Sequence, residues 1–542
     1  RIMKVESICI VGGGSSGWMA AALLSKTFPD MQIALVESKR VKRIGVGEST
    51  LGHFNRFLRR LELKDKDWMP ACNATYKTSI AFKNFREGKG ERFQYPFGNF
   101  DLFNDYKSGP LTFFELQSVY GKELYPPEEF ARFVNHQTFL AERCRIPHKN
   151  EQSNLKMGNF IFDDDTAYHF DADLFGQYLK ENIALPNGVV HMTGDVEMCV
   201  KDHDGNMTSV LTDDGKAIQA DLYVDCTGFK SLLLEKHMGV PFVSYNDQLF
   251  NDKAIATHIP YVDREKDMES YTDCIGMSSG WVWNIPLWNR VGTGYVYSSK
   301  YQSDGDALLE FKHHLATRFS PELAQECQFM PIKIRHGKHE KAWCRNVVGI
   351  GLAFGFLEPL ESTGLMTTHE SIIFLCDSLE RREGFVSKYD RDAFNFTTNN
   401  MIETMKNFIV MHYTFSQRED TPYWSDCVNR VSMDKGYAEV VEYGESQRLA
   451  RANLDALMNA LDGSTYQNPH FSGIMYIASG LGFKPITKSM YHERMTFTGN
   501  PNHQSLEECH DMWQVDRKKI MDWVDTQPTT YEYLKKEIYG TV

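Results

Sequence analysis

Paired cysteines, long apolar runs and surplus positive charge are all missing from this 542-residue chain. Its eleven cysteines are scattered from Cys9 to Cys509, odd in number and with no C-x-x-C pair. That spacing offers neither a disulfide framework nor a zinc knuckle, and a reducing, cytoplasmic setting is the expectation. The longest apolar run, Val347 to Leu357, falls well short of the ~20 residues that span a bilayer, so no membrane association is expected. Lys and Arg number 59 against 72 Asp and Glu, a net charge of −13. A broad phosphate-binding face needs clustered cations, so nucleic acid is not an expected partner. Internal repeats and low-complexity tracts are also lacking. The sequence leaves room for a homo-oligomer.

The N-terminus carries the first positive signal. Val5 to Val11 is a short apolar run of strand composition, followed by Gly12-Gly13-Gly14-Ser15-Ser16-Gly17. A helical stretch, Trp18 to Phe28, and a second strand, Met31 to Val36, come next, closed by Glu37. This is a β-α-β unit with G-x-G-x-x-G at Gly12, Gly14 and Gly17 and an acid 20 residues after the last glycine. Gly12 permits a tight turn, Gly14 lets backbone approach a pyrophosphate, and Gly17 lets helix and strand pack closely. The unpaired N–H groups of the helix start suit phosphate, and Glu37 suits ribose hydroxyls. The pattern points to an adenine dinucleotide without separating FAD from NAD. Gly45-x-Gly47, Gly292-x-Gly294 and Gly349-x-Gly351 all lack the third glycine, so one dinucleotide site serves the chain.

Asp221 to Gly228 and Asn346 to Ala353 read as further strands ending at a ligand, with Thr227-Gly228 and Gly351 at their tips. Their distance along the chain implies a sheet interrupted by large insertions. Met366 to Glu383, Asp390 to His412 and Lys435 to Asp462 read as helices. Phe82 to Phe130 holds 13 Phe and Tyr in 49 residues, either a folded aromatic sub-core or the wall of an aromatic-substrate pocket.

Five segments together resemble the flavin-dependent halogenases, the tryptophan-halogenase-like group above all. They are GGGSSGWMAA, ATYKTSIAF around Lys77, WVWNIP at Trp281 to Pro286, FLEPLESTG at Phe356 to Gly364, and HYTFSQREDTPYW at His412 to Trp424. The resemblance implies an α/β fold: a Rossmann-like FAD-binding module of glutathione-reductase type with a mainly helical C-terminal substrate module. Residues 1–364 would form the FAD module, with substrate-facing insertions near 70–135 and 240–335, and residues 365–542 the helical module. It implies FAD, used as FADH2, a halide (chloride or bromide), a separate NAD(P)H-dependent flavin reductase and a small aromatic substrate.

Residue by residue, Lys77 matches the family's essential lysine, which receives hypohalous acid. Taken alone it reads as a solvated strand lysine, although the alternation of Thr75, Ser79 and Ala81 with Tyr76, Ile80 and Phe82 suits a strand with Lys77 facing a cavity. An ammonium donating a hydrogen bond to HOX and a neutral amine carrying the halogen both remain open. Glu361, directly before Ser-Thr-Gly, matches the catalytic carboxylate, and Glu358 is the alternative with a plain capping role. Thr363 and Gly364 match the halide pair at a helix start. Trp281 and Trp283, on one strand face, match a wall between flavin and substrate, or else are two core aromatics. Gly45 to Thr50 matches a strap touching the flavin and halide sites, and cofactor contacts are implied at Ser15, Ser16, Gly47, Ser49, Thr50, Val196, Gly228, Gly351, Leu352 and Leu365. Phe97 matches a substrate-stacking aromatic, while Tyr95 stands where the family usually has His. Between residues 425 and 470 no counterpart is evident of the tyrosine pair and acid that hold free tryptophan. An indole or another electron-rich aromatic is therefore the expected substrate.

A single-component FAD aromatic hydroxylase is the nearest alternative. It expects Asp-Gly where Thr227-Gly228 stands, and Gly-Asp where Gly351-Leu352 stands. A non-catalytic flavin-fold binding protein is the third reading, disfavoured by the presence of both Lys77 and Glu361.

Overall fold

The glycine turn and the apolar runs around it build the first of two sheets that organise the chain. The computed structural model describes residues 2–39, 47–98, 110–147, 160–429, 471–482 and 505–540. Two compact units share them, each assembled from three stretches: Arg1–Ala74, Tyr168–Asp252 and Lys333–Lys406 in one, Thr75–Ala167, Lys253–Ile332 and Asn407–Val542 in the other.

In the first unit six strands lie in the order Trp343–Cys344, Val347–Gly349, Leu222–Asp225, Ser7–Val11, Gln32–Glu37 and Val190–Thr193. All neighbours run parallel except the first pair. Parallel strands covered on both faces are apolar throughout, and Cys9, Val11, Val36, Tyr223 and Val347 are buried in one cluster with Leu233 and Leu234. The two distant segments expected to end at a ligand are thus direct neighbours of the N-terminal strand. Register aligns Val11 with Val36 and with Asp225, and Asp225 with Gly349. Gly12, Thr227 and Gly351 therefore leave the sheet side by side at its carboxyl end, where α/β sheets hold ligands.

The first helix runs Ser15–Thr27, three residues earlier than its apolar pattern indicates, because Gly14 caps it in extended conformation. Ser15, Ser16 and Gly17 thereby form its first turn. The expected helix at Met366 is Thr363–Glu380, and that at Asp390 is Lys388–Thr414. The boundary expected after residue 364 falls inside the first of these, and residues up to Lys406 cluster with the first unit. Residue 364 thus marks a change of element, not the end of a compact unit. The expected helix Lys435 to Asp462 lies outside the described residues.

The second unit is built on a seven-stranded sheet in the order Met330–Lys333, Lys253–Ile259, Val291–Tyr297, Gly280–Pro286, Tyr271–Gly276, Ser79–Lys83 and Arg92–Pro96. Its two faces do different work. Ile255, Ile275, Val282, Tyr295 and Tyr297 pack under the helix Asp304–Arg318 through Ala307, Phe311 and Leu315. That helix is started by the Ser303 hydroxyl, which accepts from Asp306 N–H, with Asp304 and Asp306 placed to favour its N-terminus. Alternation sends Phe82, Phe93, Tyr95, Trp281 and Trp283 to the opposite face.

Candidate active site

Backbone geometry at the carboxyl end of the first sheet shows where a dinucleotide would lie. Gly12 has φ +114°, and a Cβ there would sit 2.1 Å from the Cys226 carbonyl oxygen. A Cβ on Gly17 would sit 1.9 Å from the Gly12 carbonyl oxygen, so helix and turn touch only because Gly17 lacks a side chain. At Gly14 and Gly228, by contrast, a Cβ would meet nothing within 4 Å. Tight glycines frame the turn and open ones face the space that a pyrophosphate would fill, with the first helical turn pointing its N–H groups there. This cradle fits an adenine dinucleotide.

Two residues that the motif left unmarked complete it. Gly13 is required by Glu37, since a Cβ would lie 1.7 Å from the Glu37 Oε2. His191 Nε2 lies 2.7 Å from Glu37 Oε1, and its ring meets Trp18 edge-on at 5.2 Å. No sequence signal singles out His191, because it arrives from the strand paired beside Glu37. Gly351 has φ +65° and closes against Thr368 and Ser16, while Leu352 next to it is 37% exposed. Leu365 is buried in the helix Thr363–Glu380, and Val196 opens an antiparallel strand paired with Thr212. Asp225, fully buried, accepts from the N–H groups of Thr227, Leu233 and Leu234 and from the Thr227 hydroxyl, so the strand end is locked from within.

The FLEPLESTG segment makes a tight corner in the same unit. Glu358 precedes a short helical turn, Pro359–Glu361, then Ser362 takes φ +56° and the helix Thr363–Glu380 begins. Both carboxylates are buried. Glu358 belongs to a closed hydrogen-bond loop: Asn251 Nδ2 donates to its Oε2 at 3.1 Å, and its own N–H donates to His336 Nε2. His336 Nδ1 in turn lies 2.8 Å from the Asn251 carbonyl oxygen. His336 Nε2 also lies 3.1 Å from the Glu358 Oε2. Glu361 occupies the turn immediately before the Ser-Thr-Gly corner.

At that corner a Cβ on Gly364 would meet nothing within 4 Å, and the first turn of the helix carries no acid. Bare N–H groups facing open space suit a small anion. The strap is tied to the same corner, for the Ser362 hydroxyl lies 3.0 Å from the Ser49 hydroxyl. Thr50 hydroxyl pairs with the backbone of Tyr168 and anchors the strap. Gly47 has φ +86°, whereas Gly45 lies outside the described residues. Burial, with Asp173 adding repulsion, pushes the Glu48 carboxyl up to about 7.

The second unit gathers the remaining candidates. Lys77 is 0% exposed, which overturns the solvated-lysine reading. The strand Thr75–Lys77 stops at Thr78, whose N–H donates to Ser270 O, and the sheet strand begins at Ser79. Ala74 to Phe82 is buried on both sides, so the alternation separates two packed faces and not a wet face from a dry one. Lys77 Nζ lies 5.3 Å from the centroid of the Phe97 ring. Phe97 meets Tyr95 edge-on at 5.8 Å, and Tyr95 leans on Tyr476 at 5.5 Å.

Tyr476 belongs to a helix, Phe471–Gly480, that the sequence reading missed. Gly473 on that helix opens the notch for Tyr95, since a Cβ would lie 2.8 Å from the tyrosine oxygen. Trp281 and Trp283 are both buried, 6.3 Å apart in an edge arrangement. Trp283 lies across Gly294 on the neighbouring strand, where a Cβ would come within 2.1 Å of the ring. The stretch 430–470, in which no carboxylate and tyrosine pair was evident, lies outside the described residues.

Among the described residues no cluster of His, Cys, Asp or Glu could hold a metal ion, and no helix is long and apolar enough to cross a membrane. The eleven cysteines, all among the described residues, form no disulfide with one another.

A family model described as tryptophan halogenase matches residues 7–489. The tryptophan 6-halogenase SttH of Streptomyces toxytricini is 33% identical over 97% of this chain and 97% of its own. Its crystal structure covers 98% of this chain and 99% of its own with a TM-score of 0.82 and 31% identity. The 7-chloro-L-tryptophan 6-halogenase KtzR of Kutzneria sp. (strain 744) is 36% identical over 81% of this chain and 84% of its own. The apo structure of VirX1 is 46% identical, with a TM-score of 0.89, and covers 99% of this chain and 100% of its own.

Proposed function

This chain belongs to the tryptophan halogenase family and is a flavin-dependent halogenase, and from that premise we propose that it places chloride or bromide on an electron-rich, indole-like ring. Bound as reduced FAD, the cofactor would supply, with dioxygen, the oxidising power that turns halide into HOX. Gly12, Gly14 and Gly17, the first helical turn at Ser15 and Ser16, and Glu37 would hold its adenine dinucleotide portion. The N–H groups at Thr363 and Gly364 would hold the halide. Trp281 and Trp283 would keep the organic substrate away from the flavin.

Lys77 receives HOX and polarises it, either by hydrogen bonding from the ammonium or by carrying the halogen on nitrogen. The ring then forms its C–X bond and loses the proton from the same carbon, while the oxygen of HOX leaves as water. Glu361 stabilises the cationic ring in between and takes up that proton. The observation that carries this reading is Lys77, a wholly enclosed amine over an aromatic ring, because burying a lysine is costly and the family's mechanism gives an enclosed amine at this position a use.

Incubation with reduced FAD, oxygen, bromide or chloride and a small aromatic panel, read by mass spectrometry, tests it. The expected outcome is a halide-dependent mass shift on indole-like rings. Lys77→Ala is expected to retain FAD binding and reduced-flavin oxidation yet yield no halogenated product, and product from this variant would remove Lys77 from the scheme. Glu361→Gln is expected to slow product formation by ~10²–10⁴-fold, and an unchanged rate would reassign the role. A hydroxylated product formed without halide would support the hydroxylase instead.

A further inference from the structure

We propose that Phe97, fixed in place by Asn135, is a positioning residue that holds the Lys77 ammonium for reaction; the idea rests on the role of Lys77 proposed above. Phe97 is locked by its backbone at both ends. Its N–H donates to the Thr78 carbonyl at 2.9 Å, and its own carbonyl accepts from Asn135 Nδ2 at 3.0 Å. Thr78 is the residue after Lys77, so the first bond fixes the backbone that carries the ring beside the lysine's own. The other end of the Asn135 amide accepts from Gln137 N–H, at the start of the helix Gln137–Glu142. One buried side chain thus ties a helix start to the segment carrying the ring, which a residue engaged only in substrate stacking does not require.

The ring lies 5.3 Å from Nζ, inside the ~6 Å over which an aromatic face attracts a cation. That attraction strengthens as water is removed, and Lys77, Phe97 and Asn135 are 0%, 7% and 3% exposed. Four methylenes separate Nζ from the backbone, and lysine has large rotamer freedom to lose. A fixed π face is a means of confining the headgroup to one place.

Positioning and stacking make different kinetic predictions. Phe97→Leu should lower kcat at saturating substrate by at least tenfold, lower the halogenated product formed per reduced flavin consumed, and release more HOX to a bulk scavenger. Phe97→Tyr should restore all three to within about threefold of the parent. Pentafluorophenylalanine at position 97 keeps the shape but reverses the ring quadrupole, so it should behave like Phe97→Leu. The side-chain protons of Lys77, assigned in NMR spectra by their loss in Lys77→Met, should show a ring-current shift that disappears in Phe97→Leu. A raised KM with unchanged kcat and coupling, or full coupling in the pentafluoro protein, would overturn the positioning role. A parent enzyme that makes no halogenated product would instead overturn the function on which it rests, and the two failures are separable.

Discussion

Single residues in this protein are constrained most tightly where a side chain is missing. Gly13 illustrates this, because its absent Cβ is what allows the Glu37 carboxylate to lie beside the turn. Gly13→Ala should push Glu37 aside, cost ~1–3 kcal/mol of stability and weaken FAD binding at least tenfold, read by thermal unfolding and flavin titration. Glu48 makes a prediction about pH. Its carboxyl moves from 4.5 to about 7 on folding, so between those values the unfolded chain ionises while the folded chain keeps its proton. The folded state therefore loses stability as pH rises from about 4.5, and the loss is complete above about 7. Glu48→Gln, which does not titrate, should melt close to the parent at pH ~5 and above it at pH ~8. Because Glu48 remains partly accessible, the gap will be smaller than full burial would give. Equal melting temperatures at both pH values would show that folding does not shift this group.

At the scale of elements, the helix Phe471–Gly480 has the largest consequence for the candidate substrate wall. It packs on the strand Arg92–Pro96 through glycines seven residues apart: Gly473 against Tyr95 and Gly480 against Phe93. Seven residues are nearly two helical turns, so both glycines face the strand. Gly473→Ala should destabilise the protein by ~1–3 kcal/mol and displace Tyr95. In a Tyr95→Leu background the same substitution should cost about 1 kcal/mol less, since the clashing ring is gone. Purely additive effects in thermal unfolding would mean that the two residues do not meet. The large tyrosine ring is thus accommodated by the smallest partner. Sequence reading missed this helix because it is short and apolar nearly all round, and such a run carries no clear period.

At the scale of the whole molecule, the proposed reaction has its reducing power arrive from a separate flavin reductase, in keeping with the one dinucleotide cradle among the described residues. NAD(P)H and FAD without a reductase should give no product, whereas FAD reduced beforehand should restore turnover, read by product formation under oxygen. Substantial NAD(P)H oxidation by the pure chain would contradict that division of labour. The two units are each discontinuous, so the chain passes between them repeatedly. A single domain boundary after residue 364 could not express this, since sequence position and compactness coincide only when a unit is made of one stretch.

What the sequence determined by itself is local and short in range. Gly12, Gly14, Gly17 and Glu37 announce a dinucleotide because turn, phosphate approach and ribose contact are all set within one β-α-β unit. The strands at Leu222 and Val347 are equally legible, being apolar runs ended by glycine. Tertiary structure decided what those residues face. Lys77 reads as an ordinary strand lysine until chain on every side encloses it. Glu358 carries no motif of its own, and only the fold brings Asn251 and His336 to it. Asn135 and Gly473 carry no motif at all, because their work is to fit a particular ring brought from far along the chain. Short-range backbone geometry writes a pattern into sequence, whereas burial and side-chain partnership depend on residues hundreds of positions apart that only the fold brings together.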